Sequence, residues 1–452
     1  MSDDLLKLRF DDSLEAFAIA VVDVLGLNAF ENGRALRDPF GRLSYLSSKK
    51  LEPSTRVRLL ERLAVALAQY FSTDIGVIEP EEFGFADLWA APVHWELVWL
   101  NTQEVLYIDV IDRRIVGQDW LASPEHESEP TPRRLVFWSV KGGVGRSTAL
   151  SVLAVHLAQF GRNVLVIDAD LEAPGLGSIL LDPDARPTYG LLDYLADNGL
   201  APWSDEALSD FVSASLLTDR VAGQGLVDVA PAVGTATLNK PHNMLAKLSR
   251  ALLEDPNPNG APTPVRSQLR DFVDRLASRK SYDAILVDAR AGLTELAAGA
   301  LFGLGANTLV FGVKQTQTFE DLRFLFAHLA RMPHPSDPET DWRRRFRFVH
   351  AKADPQDDSK ESFKDKLYEV LSDEFYEEEK GGDESNVLNY SFDDPQALHA
   401  PLTINFDFPY MRFDPVLRPA QLKRETYRAA FSEFLIAACE LLDLSNESDE
   451  AE

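Results

Sequence analysis

Cysteine is nearly absent: Cys439 is the single one among 452 residues. One thiol excludes an intramolecular disulfide framework, a CxxC metal site and a cysteine-held iron–sulfur cluster. It suits a reducing, cytoplasmic compartment. Long apolar runs are missing too, and no stretch reaches the roughly 18 residues of a membrane-spanning helix. Positive charge is scarce, with 45 Lys and Arg against 72 Asp and Glu and a net charge of −27. So acidic a chain repels phosphate backbones, and nucleic acid is not an expected partner. The opening residues Met1-Ser2-Asp3-Asp4 are acidic where a secretory leader is basic, so no leader is expected. The hydrophobic share of 45% and charged share of 26% are those of a soluble globular protein. The length suggests two or three domains.

A composition break falls at Ser123 to Arg133, with three prolines, three glutamates and no apolar residue. It reads as a solvated linker, 123–133, between a small α+β accessory domain, 1–122, and a larger domain, 134–442. Residues 443–452 read as an acidic disordered tail. In the first domain, Asp12 with Glu15 resembles a capping box before the apolar run Phe17 to Leu25. Ser54 opens a second helix, in which Val57, Leu59, Leu60, Leu63, Leu67 and Phe71 recur at helical spacing. Val105 to Ile111 is an expected strand, and Asn32-Gly33 and Arg37 to Gly41 are expected turns. The polar run Arg113, Arg114, Gln118, Asp119, Trp120 reads as a strand end docked on the next domain, and no catalytic constellation precedes the linker. Glu254 to Pro264 reads as a surface loop, and Asp354 to Asp394, with Gly381-Gly382, as an inserted helix plus a flexible loop.

The chemistry follows the linker. Leu135 to Ser139 is a short apolar strand, Val140-Lys-Gly-Gly-Val-Gly-Arg-Ser-Thr148 a glycine-rich turn, and Ala149 to Phe160 a helix. Strand, glycine turn and helix are the context of a phosphate-binding loop. Gly142, Gly143, Val144 and Gly145 can aim backbone N–H groups at phosphate oxygens, and the helix N-terminus adds partial positive charge. Ser147 is placed to ligate Mg²⁺ and Thr148 to contact an inner phosphate. Asn163 to Ile167 is a second buried strand, ending in Asp168 and Asp170. Ala284 to Val287 is a third, ending in Asp288, with Gly292 placed to aim an N–H at a terminal phosphate. Carboxylates at strand ends beside a phosphate loop are the usual partners of Mg²⁺.

These residues resemble the ParA/MinD-type ATPases, whose loop has the form KGGxGK[ST]T, and the match runs from about Arg134 to Leu442. The resemblance implies a three-layer α/β sandwich around a mostly parallel, doubly wound sheet. It implies ATP and Mg²⁺ as cofactors and a homodimer in which Lys141 reaches the partner protomer's nucleotide. It gives Asp170 the attacking water, Asp168 and Asp288 the metal alongside Ser147, and Gly292 the second switch. One residue departs from the pattern: Arg146 replaces the loop lysine at the β/γ-phosphates, as in a KGGVGR subset of the family. Arginine keeps the charge on a wider planar fork, so slow turnover is expected, with Lys141, Asp170 and Arg146 as the catalytic set. After the expected strand Phe346 to His350 come Lys352 and Asp354, an xKxD pattern that can read guanine. The family resemblance favours adenine.

Other relatives fit less well. Cluster-carrying and tail-anchor-targeting branches need cysteines that are absent. MinD-like proteins end in a basic amphipathic membrane helix, whereas Tyr427 to Leu442 leads into acid and reads as a packed core helix. DNA partition needs a basic face. The best candidate, Arg343 to Arg347, is expected instead to pair with acids such as Glu377 to Glu379. The expected function is a slow ATPase switch that dimerises around nucleotide and signals to protein partners through the N-terminal domain. A nucleotide-binding scaffold with negligible turnover and a DNA-partition ATPase are the alternatives.

Overall fold

The computed structural model describes residues 8–444 except 73, 102–103, 125–129, 221–222, 256–261, 336, 355–358 and 378–386. Met1 to Asp4, the middle of the expected linker, the centre of the Glu254–Pro264 loop, Gly381-Gly382, Glu378-Glu379 and the tail from 445 lie outside the described residues. The chain divides into two compact units, Met1–Ala122 with Arg331–Pro333, and Ser123–Ala330 with His334–Glu452.

The first unit is built on a five-stranded sheet of order β3-β2-β1-β5-β4. Its strands are β1 Gly33–Arg37, β2 Leu43–Ser47, β3 Val77–Ile78, β4 His94–Trp99 and β5 Val105–Asp112. Helices Phe10–Leu25 and Pro53–Leu67 bury Phe17, Val21, Leu59, Leu63 and Leu67 with Tyr45 and Val110 of the sheet. The first helix begins at Phe10, so the expected Asp12–Glu15 capping box does not form. Leu14 is already buried, and Asp11 and Asp12 lie in the first turn, where carboxylates complement the helix dipole. The second helix starts on Pro53, a residue pre-shaped for the first helical position. Gly33 opens a strand where a turn was expected. A Cβ there would meet the Tyr45 ring at 2.2–2.5 Å, so the glycine serves a close approach. Asp38 to Gly41 does form the β1–β2 turn, closed by the Gly41 N–H on the Asp38 carbonyl at 2.9 Å.

The second unit carries an eight-stranded sheet of order β13-β12-β11-β6-β10-β7-β9-β8. These strands are β6 Arg133–Trp138, β7 Val164–Ala169, β8 Ser213–Ala214, β9 Val227–Ala230, β10 Ala284–Ala289, β11 Asn307–Gly312, β12 Phe346–Ala353 and β13 Leu402–Asn405. All neighbours are parallel except β8 on β9. Alternate residues explain the layering. Leu135 and Phe137, Val164 and Val166, Ala284 and Leu286, Leu309 and Phe311 join one core with helices Arg146–Gln159 and Arg424–Leu441. The residues between them, Val136, Trp138, Leu165, Ile167, Ile285 and Val287, are equally buried on the opposite face. A sheet buried on both faces needs helices on both, which is the three-layer α/β sandwich. On the second face Phe326, of helix Thr316–Leu329, sits 5.6 Å from Phe348 of β12. Phe434 of the last helix lies 6.3 Å from Phe137 and 6.1 Å from Phe311, so that helix packs in the core.

Candidate functional site

Chemistry gathers where β6, β7 and β10 end. The chain leaves β6 and returns to the sheet two places away at β7, with β10 filling the gap, so three strand ends open onto one crevice. The loop after β6 turns through Gly143 at φ +76° and Gly145 at φ +101°, angles that L side chains rarely adopt. A Cβ on Gly142 or Gly143 would meet nothing within 4 Å, so the cradle is open to a ligand. Gly145 is the N-cap of helix Arg146–Gln159, which turns its first N–H groups toward that space.

Asp288 and Asp168 are register partners on adjacent strands, 2% and 1% exposed. The Ser147 hydroxyl donates to Asp288 Oδ2 at 2.5 Å. The other oxygen, Oδ1, is buried without a hydrogen-bond partner. Burial pushes the Asp288 carboxyl up to about 6, although Arg146 and Ser147 pull the other way. Burial and the neighbouring Asp288 push Asp168 up to about 7. A hydroxyl beside a desolvated carboxylate with a vacant oxygen suits a small hard cation. Among the described residues no group of three or more His, Cys, Asp or Glu is arranged to hold a metal. Mg²⁺ commonly takes few protein ligands and completes its shell with water and phosphate, so Ser147 and Asp288 fit it.

Asp168 is arranged differently. Its Oδ1 accepts from the Asp170 N–H at 3.1 Å, and its Oδ2 from Gly175 and Leu176 at 3.1 and 3.0 Å. Both oxygens therefore hold the loop after β7. Asp170 heads that loop, and its Oδ1 accepts from the Ala173 N–H at 3.1 Å.

Three further expectations are corrected by the geometry. Arg146 does not lie along the cradle: it is 7% exposed, donates to the Ala289 carbonyl and stands 3.7 Å from Asp170. Asp170 and Asp288 both face its charge, and a delocalised cation suits two carboxylates there. The Gly292 N–H, expected to face a terminal phosphate, donates to the Ser139 carbonyl at 2.9 Å, and Trp138 Nε1 donates to the Gly292 carbonyl at 3.2 Å. The turn after β10 is thereby tied to β6, while Arg290 in it pairs with Glu172 of the loop after β7. Finally, β12 runs on to Ala353, so Lys352 lies within the strand at φ +55°, beside a register shift. Its Nζ donates to the Gly143 carbonyl at 2.7 Å, which makes it a brace on the phosphate loop. Asp354, just beyond, is exposed.

Sequence reading missed one wall. A cavity of 170 Å³ beside Gly145 and Thr148 is bounded by Lys352, Asn405, Asp407, Tyr410 and Phe431. Its position next to the helix N-terminus and its apolar and amide groups suit a purine base. The signal was present, since Leu402 and Ile404 alternate with polar residues in a short strand that ends in Asn405, with Asp407 just beyond. Four residues after a proline were too few to register as a strand. The basic run, by contrast, is engaged internally: Arg343 is 3% exposed, paired with Asp341 at 2.8 Å and Glu377 at 2.7 Å, and Arg344 donates to the Tyr390 hydroxyl.

This sheet order, glycine turn and serine–carboxylate pair define a P-loop nucleotide-binding protein. The ParA family model, described as an NUBPL iron-transfer P-loop NTPase, matches residues 132–222. The chain is 31% identical over 170 residues to the chromosome-partitioning ATPase Soj of Thermus thermophilus, covering 37% of this chain and 50% of that one. It is 29% identical over 163 residues to a putative septum site-determining protein MinD of Emiliania huxleyi, covering 36% and 46%. The chain thus spans about half the length of these curated relatives. Pyrococcus horikoshii MinD, solved with Mg-ADP, aligns at 18% identity and a TM-score of 0.41, over 70% of this chain and 99% of that one. Within the P-loop class the nucleotide-binding unit is similar to proteins of ParA/MinD type. No helix among the described residues is long and apolar enough to cross a membrane.

Proposed function

We propose that the protein binds ATP with Mg²⁺ and hydrolyses it slowly, as a switch that pairs two copies around nucleotide and reports its state to other proteins. The observation that carries this is the Ser147–Asp288 pair, with its unpartnered Asp288 oxygen, at the foot of an open glycine cradle. The backbone N–H groups of Gly142 to Thr148 bind the phosphates, and the cavity at Asn405 and Asp407 holds the base. Mg²⁺, when bound, neutralises developing charge on the phosphates. Asp170 orients the attacking water, and Lys141 acts on the nucleotide of the second copy. The N-terminal unit, 1–122, is the surface we assign to protein partners. A scaffold with negligible turnover is the second reading, favoured by the way Arg146 is folded against Asp170 and the Ala289 carbonyl. The internal pairing of Arg343 gives DNA partition no support. Phosphate release from ATP with Mg²⁺, beside direct nucleotide titration, separates these readings. Binding with measurable release supports the switch, binding alone supports the scaffold, and no binding overturns both.

A further inference from the structure

The sheet of the first unit is covered unevenly. Helices Phe10–Leu25 and Pro53–Leu67 take one face. On the other face, helix Phe85–Ala90 packs over Leu36, Leu46, Ile78 and Ile111. The rest of that face belongs to β4 and β5 and is bare. In their antiparallel register Trp95 is opposite Asp109, Leu97 opposite Tyr107 and Trp99 opposite Val105, so these six side chains stand on one side. The five apolar ones are between 38% and 65% exposed. Single exposed apolar residues are ordinary on a protein surface, whereas five in one block mark an interaction site.

β4 is also an open edge. Among the described residues it ends the sheet order, paired to β5 alone through six unbroken pairs. It carries no lysine, proline or bulge, three of the devices that keep an edge from pairing further. Alternation puts its one carboxylate, Glu96, on the opposite face, where His94 and Arg331 engage it.

Shape and charge say what covers such a face. Unpaired backbone along a strand takes another strand. The carboxylates beside the aromatic block are Asp109, across from Trp95, and the exposed Glu104, next to Val105. In a chain of net charge −27, an acidic segment or a second copy meets repulsion there. A guanidinium suits both elements, since it stacks on an indole while facing a carboxylate. The same face already holds one example: Arg34 lies 4.2 Å over the Trp89 ring, and its Nε stands 3.7 Å from Asp109.

We propose that β4 receives an extended, arginine-bearing segment of a partner protein as a sixth strand of this sheet. Arginines four positions apart lie beside Trp95 with Asp109 and beside Trp99 with Glu104, and an apolar residue midway meets Leu97. The motif is Arg-x-apolar-x-Arg, which reads alike in either strand direction. The inference rests on the assignment of the N-terminal unit to protein partners, and it names the surface and the chemistry of what docks there.

The test titrates the full chain, without nucleotide, against the labelled peptide Thr-Arg-Thr-Val-Thr-Arg-Thr, with binding read by fluorescence anisotropy. One control peptide carries glutamate in place of both arginines. The other carries proline in place of the two inner threonines, and so cannot pair as a strand. The arginine peptide should bind about tenfold or more tightly than either control. Leu97→Lys and Trp99→Ser alter exposed residues, so both should keep the parent melting curve. Each should weaken the arginine peptide by about tenfold or more. Asp109→Asn changes charge alone and should narrow the gap between the arginine and glutamate peptides by about threefold or more. No arm involves ATP, so the switch reading stands or falls separately, by phosphate release. Self-association of the parent that Leu97→Lys abolishes, read by sedimentation without nucleotide, gives the face to a second copy and overturns the proposal. Peptide binding that survives both Leu97→Lys and Trp99→Ser overturns this face and leaves the unit assigned to partners. A parent that binds none of the peptides at about 1 mM, or all of them equally, overturns the inference outright.

Discussion

The guanidinium of Arg146 stands 3.7 Å from the carboxylate of Asp170, inside the crevice rather than along the glycine cradle. The loop cation and the carboxylate assigned to the water therefore offset each other. Asp170→Ala should release Arg146, keep ATP binding within a few-fold and lower turnover by about 10²–10³. Paired measurements of nucleotide affinity and phosphate release check this. Hydrolysis at the parent rate would show that Asp170 does not handle the water.

Arg146→Lys probes the same contact from the other side. A lysine cannot reach Asp170 and the Ala289 carbonyl at once, so one tie between the loops after β7 and β10 is lost. Binding should persist through the backbone N–H groups, and turnover should equal or exceed that of the parent. Hydrogen exchange should quicken at 289–294. A steep fall in turnover would make the arginine the tuned catalytic cation.

Asp288 gives a pH dependence of defined sign. Its folded-state pKa, about 6, lies above the ordinary value of 3.8, so the folded form holds the proton more tightly than the unfolded one. Without ligand, stability from this group is fully present below about pH 4 and lost as pH rises through 6, on the order of 1–3 kcal/mol. Asp288→Asn should remove that slope and be relatively more stable at pH 8 than at pH 5, by chemical denaturation. Mg²⁺-dependent nucleotide binding runs the other way. It needs the ionised carboxylate, so it should strengthen through pH 6 in the parent and be largely absent in the variant.

Lys141→Ala should bind nucleotide as a monomer yet fail to pair with the slowly hydrolysed analogue, by sedimentation. Pairing at the parent concentration would remove the trans role of this lysine.

The last helix offers a stability test away from the chemistry. Phe434 is fully buried against Phe137 and Phe311. Phe434→Ala should cost about 3–5 kcal/mol of unfolding free energy. A loss under 1 kcal/mol would mean that the helix contributes little to the core.

Much of the nucleotide-binding unit could be read from the chain because its signals are local. Asp168 and Asp288 come at the ends of short apolar strand runs, and Ser147 follows the turn that the glycines between Lys141 and Arg146 punctuate. The first unit was harder. Gly33–Arg37 and Leu43–Ser47 lack an alternating pattern because both faces of these strands are largely buried, so only Val105–Asp112 stood out. Side-chain direction was not legible at all. Nothing adjacent to Arg146 says that it turns toward Asp170, and nothing beside Lys352 says that it reaches a carbonyl more than two hundred positions earlier. Those outcomes depend on which strand ends the sheet brings together.

That closing arrangement around Phe434 orders events during synthesis. The strand carrying Phe137 leaves the ribosome long before the helix that covers it. Until residues 424–441 emerge, that face of the central strands is covered only in part, by helix Arg146–Gln159. A nascent chain stalled short of Arg424 thus leaves part of that apolar face bare and is a candidate client for chaperones.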